Sequence, residues 1–197
     1  NHLLLAGGTG FIGFHLCKMF KKKGWKVSSI SIKRPRKKRF VKGVKKFYLI
    51  SQKKDFRKKT KDDYSHIINA SGITSNLYLK ILTKKIYRSH FNATKNLIDF
   101  FKNKKFKNFI QIGSSAEYGN AKSPLKENIL CKPSSIYGFA KLKATKYALK
   151  IAKQKKLPIN VIRLFQVYGP NQGESRAIMQ ILKFCIKKIY FPASDGK

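Results

Sequence analysis

Tyr137 and Lys141 stand four residues apart in "SSIYGFAKLKATKYALKIAK", a spacing that puts both side chains on one face of a helix. Free tyrosine exchanges protons poorly at neutral pH, and a neighbouring ammonium favours its phenolate form. The pair therefore suits proton transfer to or from an alcohol or sugar oxygen while a hydride moves at the adjoining carbon. Lys141 falls on the apolar stripe of Ala140, Ala144, Tyr147, Ala148 and Ile151, whereas Lys143, Lys146, Lys150 and Lys153 lie mostly outside it. An ammonium on an inward helix face is costly unless it has a partner or a task. A third group must align the reacting oxygen, and "IQIGSSAEYG" offers Ser114 or Ser115 just past an apolar run.

The second constellation is "LLLAGGTGFIG", residues 3 to 13. It reads either as Gly8-x-Gly10-x-x-Gly13 or as Gly7-x-x-Gly10-x-x-Gly13, and both need a strand before the glycines and a helix after them. In such a turn the first N–H groups of the helix and its dipole favour a pyrophosphate. Gly7, Thr9, Gly10, Phe11, Ile12 and Gly13 are the candidate cofactor contacts. The following strand runs "KVSSISIKRPRKKR" and carries no acid. Ser31 stands about where an NAD-binding acid is expected, and Lys33 and Arg34 come directly after it. A carboxylate would repel a 2′-phosphate, whereas a hydroxyl and a guanidinium bind one. The pattern favours NADP(H) and leaves NAD(H) possible.

These residues need elements to hold them. Strands are predicted at His2–Ala6, Lys26–Ile32, Lys46–Ile50, His66–Asn69, Asn108–Ile112 and Ile159–Arg163. Helices are predicted at Phe11–Lys23, Ile86–Lys102, Tyr137–Lys153 and about Glu174–Lys188. The second helix carries the stripe Ile86, His90, Ala93, Leu97 and Phe101, on which His90 reads as a satisfied core histidine. Short apolar strands alternating with helices imply a doubly wound, Rossmann-type parallel sheet in one α/β domain.

Composition narrows the function classes. The chain has 197 residues, 45 Lys and Arg against 8 Asp and Glu, and a net charge of +37. Such a surface attracts polyanions at low salt. The charge is mostly lysine spread along the whole chain, without a nucleic-acid motif, so no specific nucleic-acid partner is expected. No run approaches the ~20 apolar residues of a membrane span, and no signal peptide is evident. Cys17, Cys131 and Cys185 lack metal-ligand spacing and read as free thiols of a cytoplasmic protein.

Taken with "INASG" (Ile68–Gly72), "GSSAEYG" (Gly113–Gly119), "PSSIYGFAK" (Pro133–Lys141) and "RLFQVYGP" (Arg163–Pro170), the chain resembles the extended short-chain dehydrogenase/reductase family. Its members are NAD(P)-dependent epimerases, dehydratases and reductases of nucleotide-activated sugars. The resemblance selects the Gly7-x-x-Gly10-x-x-Gly13 reading. It implies Ser114 as the hydroxyl partner, Tyr137 as the acid–base and Lys141 as its modulator, with Lys141 also holding the nicotinamide ribose. It adds Ala70, Ser71, Gly72 and Ile112 to the cofactor contacts. Ser115, Glu117, Gln166 and Arg176 become candidates for the nucleotide-sugar substrate. Dehydratases of the family often carry Asp-Glu where this chain has Ser115 and Ala116, so an elimination is not expected. A 4-keto reductase of a deoxyhexose is the expected activity, with a 4-epimerase (or 4,6-dehydratase) as the alternative, and a non-catalytic NADP-binding or polyanion-binding protein as the alternative of another class. The resemblance further implies a homodimer through the helices at Ile86–Lys102 and Tyr137–Lys153, and a missing C-terminal substrate region.

Overall fold

The computed structural model describes residues 1–34, 36–48, 63–73 and 80–190. Two compact units divide the chain, Asn1–Phe165 and Gln166–Lys197. The first contains a six-stranded sheet of order β3-β2-β1-β4-β5-β6. Its strands are β1 (His2–Ala6), β2 (Lys26–Ser31), β3 (Lys45–Tyr48), β4 (His66–Asn69), β5 (Asn108–Ser114) and β6 (Ile159–Leu164), and every pairing is parallel. Helices α1 (Phe11–Lys22), α2 (Lys80–Tyr87), α3 (Ala93–Phe101) and α4 (Ile136–Lys155) belong to this unit, and α5 (Ala177–Lys187) belongs to the second. This is the doubly wound arrangement that the alternation of elements predicts.

β1 explains why the pattern is so legible. As a central strand it is buried on both faces, so "LLLA" is continuously apolar rather than alternating. Leu3 and Leu5 pack with Cys17, Val27, Val44 and Ile68, against Leu16, Phe20 and Trp25. Leu4 and Ala6 turn to the other face and join Ile67, Leu97, Ile98, Phe101, Phe109, Ala148, Ile151 and Ile159. The strand order reverses direction at β1 and β4, so the turns following these two strands flank the crevice where such sheets bind ligands.

Several elements differ from the predicted bounds. β3 begins one residue earlier than expected, and the predicted Leu49 and Ile50 lie outside the described residues. β5 continues two residues further, so Ser114 is its last residue rather than lying past it. β2 ends at Ser31 instead of Ile32, and α5 starts at Ala177 rather than Glu174. The predicted helix Ile86–Lys102 is α2, a π turn at Arg88–Asn92 and α3. Ile86, His90, Leu97 and Phe101 of the predicted stripe are buried, and Thr94 is buried in place of Ala93.

A polar contact joins α3 and α4 at their packed faces. The Tyr147 hydroxyl donates to Asp99 Oδ1 at 2.6 Å. Lys95 and Lys102 also donate to the same carboxylate. Burial raises the Asp99 carboxyl, but hydrogen bonds from Lys95, Tyr147 and Lys102 outweigh it and hold it down at about 2. Its contribution is full above its unfolded pKa of about 4 and is lost as pH falls towards 2. Tyr147→Phe is expected to cost about 1–2 kcal/mol in urea denaturation at pH 7. The difference from wild type should shrink at pH 2, and a difference independent of pH would refute this assignment.

Candidate active site

The glycine turn is built by close packing. Gly7 has φ +86°, and a Cβ there would lie 2.6 Å from the carbonyl oxygen of Ala70. The turn after β1 is thereby pressed against the turn after β4. A Cβ on Gly8 would lie 2.2 Å from Ser29 Oγ, and one on Gly13 would lie 2.2 Å from the Gly7 carbonyl oxygen. Gly13 thus lets α1 descend onto the turn. Gly10 is different: a Cβ there would meet only the Gly7 carbonyl oxygen, at 3.1 Å, among the described residues. Gly10 caps α1 without any side-chain hydrogen bond. The N–H groups of Phe11, Ile12 and Gly13 open the helix, where no intrahelical acceptor exists for them. The cradle fits a pyrophosphate.

The β4 turn is held by a buried polar network. Asn69 Nδ2 donates to Thr94 Oγ1 at 2.9 Å and to Gln111 Oε1 at 2.8 Å, while its Oδ1 accepts from the N–H and hydroxyl of Ser71. Gln111 Nε2 in turn donates to the carbonyl of Ile112. Asn69, Thr94 and Gln111 are each about 1% exposed. This network fixes Ala70, Ser71 and Gly72, and no sequence signal pointed to it. Gly72 packs on His90, whose Cε1 would lie 2.0 Å from a Cβ at that position.

Lys141 is 5% exposed, and its Nζ donates to the carbonyl of Ile112 at 2.8 Å. Burial pushes the ammonium down to about 8, with the Glu117 carboxylate opposing. The carbonyl of Ile112 therefore accepts from both Lys141 and Gln111. Two residues on, Ser114 ends β5 with its Oγ accepting from the N–H of Ala116 at 3.2 Å. That leaves the Ser114 O–H as a donor. Tyr137 opens the first turn of α4, which Ser135 caps by accepting from the N–H of Gly138. A Cβ on Gly138 would lie 2.3 Å from the carbonyl oxygen of Ala116, so the helix start sits directly on the Ser115–Glu117 turn. The structure thus brings the turn of Ser114, Tyr137 and Lys141 to one strand end.

His90 lies edge-on to Tyr137, with ring centroids 5.0 Å apart. Its Nε2 donates to the carbonyl of Ile73, and its buried Nδ1 has no hydrogen-bond partner among the described residues. Burial first, and then the charge of Lys141, pushes His90 down to about 4. It is a buried histidine, as its stripe predicts, but only one of its two nitrogens is satisfied.

Other predicted contacts are placed differently. Glu117, expected at the substrate, is fully buried, and its two oxygens accept from the N–H of Ser114 and from Arg163 Nε. Burial and both hydrogen bonds engage its carboxylate within the protein. Ser31 is buried with its hydroxyl accepting from the N–H of Thr9. Lys33 and Arg34 are exposed. The basic residues lining a crevice with Gly8, Thr9 and Ser29 are instead Arg39 and Lys46. Gln166 and Arg176 belong to the second unit, where Gln166 is exposed and Arg176 caps α5. A cavity of about 490 Å³ between α2 and the start of α4, lined by Tyr87, Arg88, Ser135 and Phe139 among others, includes none of Ser114, Tyr137 and Lys141. Among the described residues no group of three or more His, Cys, Asp or Glu could hold a metal, and no helix is long and apolar enough to cross a membrane.

Residues 3–190 match the family model of the NAD dependent epimerase/dehydratase family. The chain belongs to this family. It is 25% identical over 199 residues to the uncharacterized UDP-glucose epimerase YtcB of Bacillus subtilis (strain 168), covering 92% of this chain and 61% of that protein. Among solved structures, the UDP-glucuronic acid 4-epimerase from Bacillus cereus in complex with UDP-glucuronic acid and NAD matches with a TM-score of 0.83. It is 24% identical, with 96% of this chain and 64% of that one covered. The UDP-N-acetylglucosamine 4-epimerase from Methanobrevibacter ruminantium M1 matches with a TM-score of 0.84 at 22% identity, covering 95% of this chain and 63% of that one. These structural likenesses speak for the fold. The chain spans about three fifths of the length of these members of the NAD dependent epimerase/dehydratase family.

In this member of the family, Gly13→Ala is expected to cost about 1–3 kcal/mol in chemical denaturation, because the Gly7 carbonyl cannot give way without moving the turn. An unchanged midpoint would mean that the close contact of α1 with the turn is not required.

Proposed function

We propose that the chain is the cofactor-binding and catalytic part of a nucleotide-sugar 4-epimerase, with Ser114, Tyr137 and Lys141 as its catalytic residues. The observation that carries this reading is the convergence on the end of β5. Lys141 is fastened to Ile112, Ser114 closes the strand, and Gly138 brings the Tyr137 turn of α4 onto Ala116. Gly7, Thr9, Gly10, Phe11, Ile12 and Gly13 would hold the pyrophosphate of a nicotinamide dinucleotide, with Ala70, Ser71, Gly72 and Ile112 beside it. Bound there, the dinucleotide supplies reversible hydride exchange with a sugar carbon.

The chain's own residues supply the rest. The Ser114 O–H donates to the sugar oxygen and fixes its orientation. Tyr137 Oη takes the proton of the sugar hydroxyl as the carbonyl forms and returns it when the carbonyl is reduced. The Lys141 ammonium favours the phenolate form of Tyr137 that accepts this proton. Neutral His90 packs against Tyr137 and adds no second positive charge there. The carboxylate of the Ser115–Glu117 turn is engaged on both oxygens, so a 4,6-elimination lacks its acid and base.

A 4-keto reductase using NADPH is the second reading. Two observations favour it: β2 ends without an acid, and Arg39 and Lys46 line the crevice beside Gly8, Thr9 and Ser29.

In the full-length protein, Tyr137→Phe is expected to lower turnover of a nucleotide sugar by about 10²-fold or more while dinucleotide binding persists. Chromatography of the sugar products with absorbance at 340 nm reads both. Interconversion of 4-epimers without net change in NADH supports the epimerase, and stoichiometric NADPH consumption by a 4-keto sugar supports the reductase. Undiminished turnover by the variant would overturn the role of Tyr137.

A further inference from the structure

We propose that Glu117 is a positioning residue for the candidate catalytic pair: its carboxylate fixes Ser114 through the backbone and serves as counter-charge to the buried Lys141 ammonium. This rests on the Ser114–Tyr137–Lys141 reading above. Glu117 is fully buried, and a buried carboxylate persists only when hydrogen-bonded and paired. Its Oε1 accepts the N–H of Ser114 at 2.9 Å, and its Oε2 accepts Arg163 Nε at 2.9 Å. Gly113 makes the space, since a Cβ there would lie 2.6 Å from Glu117 Oε1.

Arg163 reaches from β6 and ties the arrangement to its surroundings. Its second donor group bonds the Tyr118 hydroxyl at 3.2 Å and the carbonyl of Glu127 at 2.9 Å, and its guanidinium lies 4.8 Å from the centre of the Tyr118 ring. The end of β5 is therefore gripped from two sides. The Lys141 ammonium holds the carbonyl of Ile112, and the Glu117 carboxylate holds the amide of Ser114, two residues further.

Among the described residues, Glu117 of the turn after β5 and His90 of the π turn interact electrostatically with Lys141, and Tyr137 stands one turn earlier on α4. His90 is neutral, because burial and Lys141 itself disfavour its proton. Arg163 of β6 stands on the far side of Glu117 as its partner. Burial drives the Lys141 ammonium towards its neutral form, and Glu117 is the charge that opposes this.

The test is the titration of the Lys141 side chain by ¹³C NMR in lysine-labelled protein, with its resonance assigned from its loss in Lys141→Met. Glu117→Gln keeps an amide in the carboxylate's place and removes the charge. It is expected to move the Lys141 midpoint down by about one unit or more. Arg163→Gln leaves the carboxylate uncompensated, so the midpoint should stay or rise. If Glu117→Gln does not fold, the charge-free double variant Glu117→Gln/Arg163→Gln carries the same downward expectation. A midpoint unmoved by loss of the Glu117 charge, or a downward shift of similar size in Arg163→Gln, overturns the proposal. In the full-length protein, the alkaline limb of kcat/KM should follow the Lys141 midpoint. A midpoint that moves while the limb stays put supports the counter-charge and overturns the Ser114–Tyr137–Lys141 reading.

Discussion

The hydrogen bond from Lys141 Nζ to the carbonyl of Ile112 joins the long helix α4 to the end of β5, and much of the site depends on it. A lysine ammonium carries three donors and no acceptor, and it resists burial unless its charge is answered. Here one donor is spent on a strand-end carbonyl, and Glu117 answers the charge from the turn beyond. The contact fixes the rotation of α4 about its axis relative to the sheet. It thereby also fixes where the first turn of α4, with Tyr137, meets the end of β5.

Around this bond, close approaches of backbone replace side-chain packing. Gly7 lets the β1 turn touch the β4 turn, Gly13 lets α1 reach the β1 turn, and Gly138 lets α4 reach the turn after β5. In each case an added methyl would meet a carbonyl oxygen, which cannot swing aside as a flexible side chain can. The polar network of Asn69, Gln111 and Thr94 holds these turns from within the sheet, and Gln111 ends on the same Ile112 carbonyl as Lys141. The backbone around the site is thus determined by several independent constraints. Such redundancy suits a site that must hold a cofactor and a proton-transfer group in fixed relation.

The sheet was legible in the sequence because β1, buried on both faces, is written almost entirely in apolar residues, and β4 carries Ile67 and Ile68 at its centre. The Tyr137–Lys141 spacing was legible because a basic residue on an apolar stripe violates the pattern around it. The π turn at Arg88–Asn92 left no local signal, since the stripe on either side of it reads as one helix. Glu117 looked like a substrate contact because its partner, Arg163, is 46 residues away and on another strand. That Arg39 and Lys46 line the crevice with Gly8, Thr9 and Ser29 was likewise hidden. In a chain with 45 basic residues, proximity in sequence says little about which ones fold inward.

The same excess of charge sets how the account must be tested, because a surface of +37 attracts any polyanionic ligand at low salt. The central claim is that the turn after β1 binds a dinucleotide through its backbone. The most direct measurement is calorimetric binding of NADH and NADPH to the 197-residue chain and to Gly10→Val at about 0.3 M salt, where long-range attraction is screened. Saturable binding to the wild-type chain, abolished by the Gly10→Val side chain, is expected. Equal binding to both proteins would contradict it, because the ligand would then be held by surface charge and not by the turn.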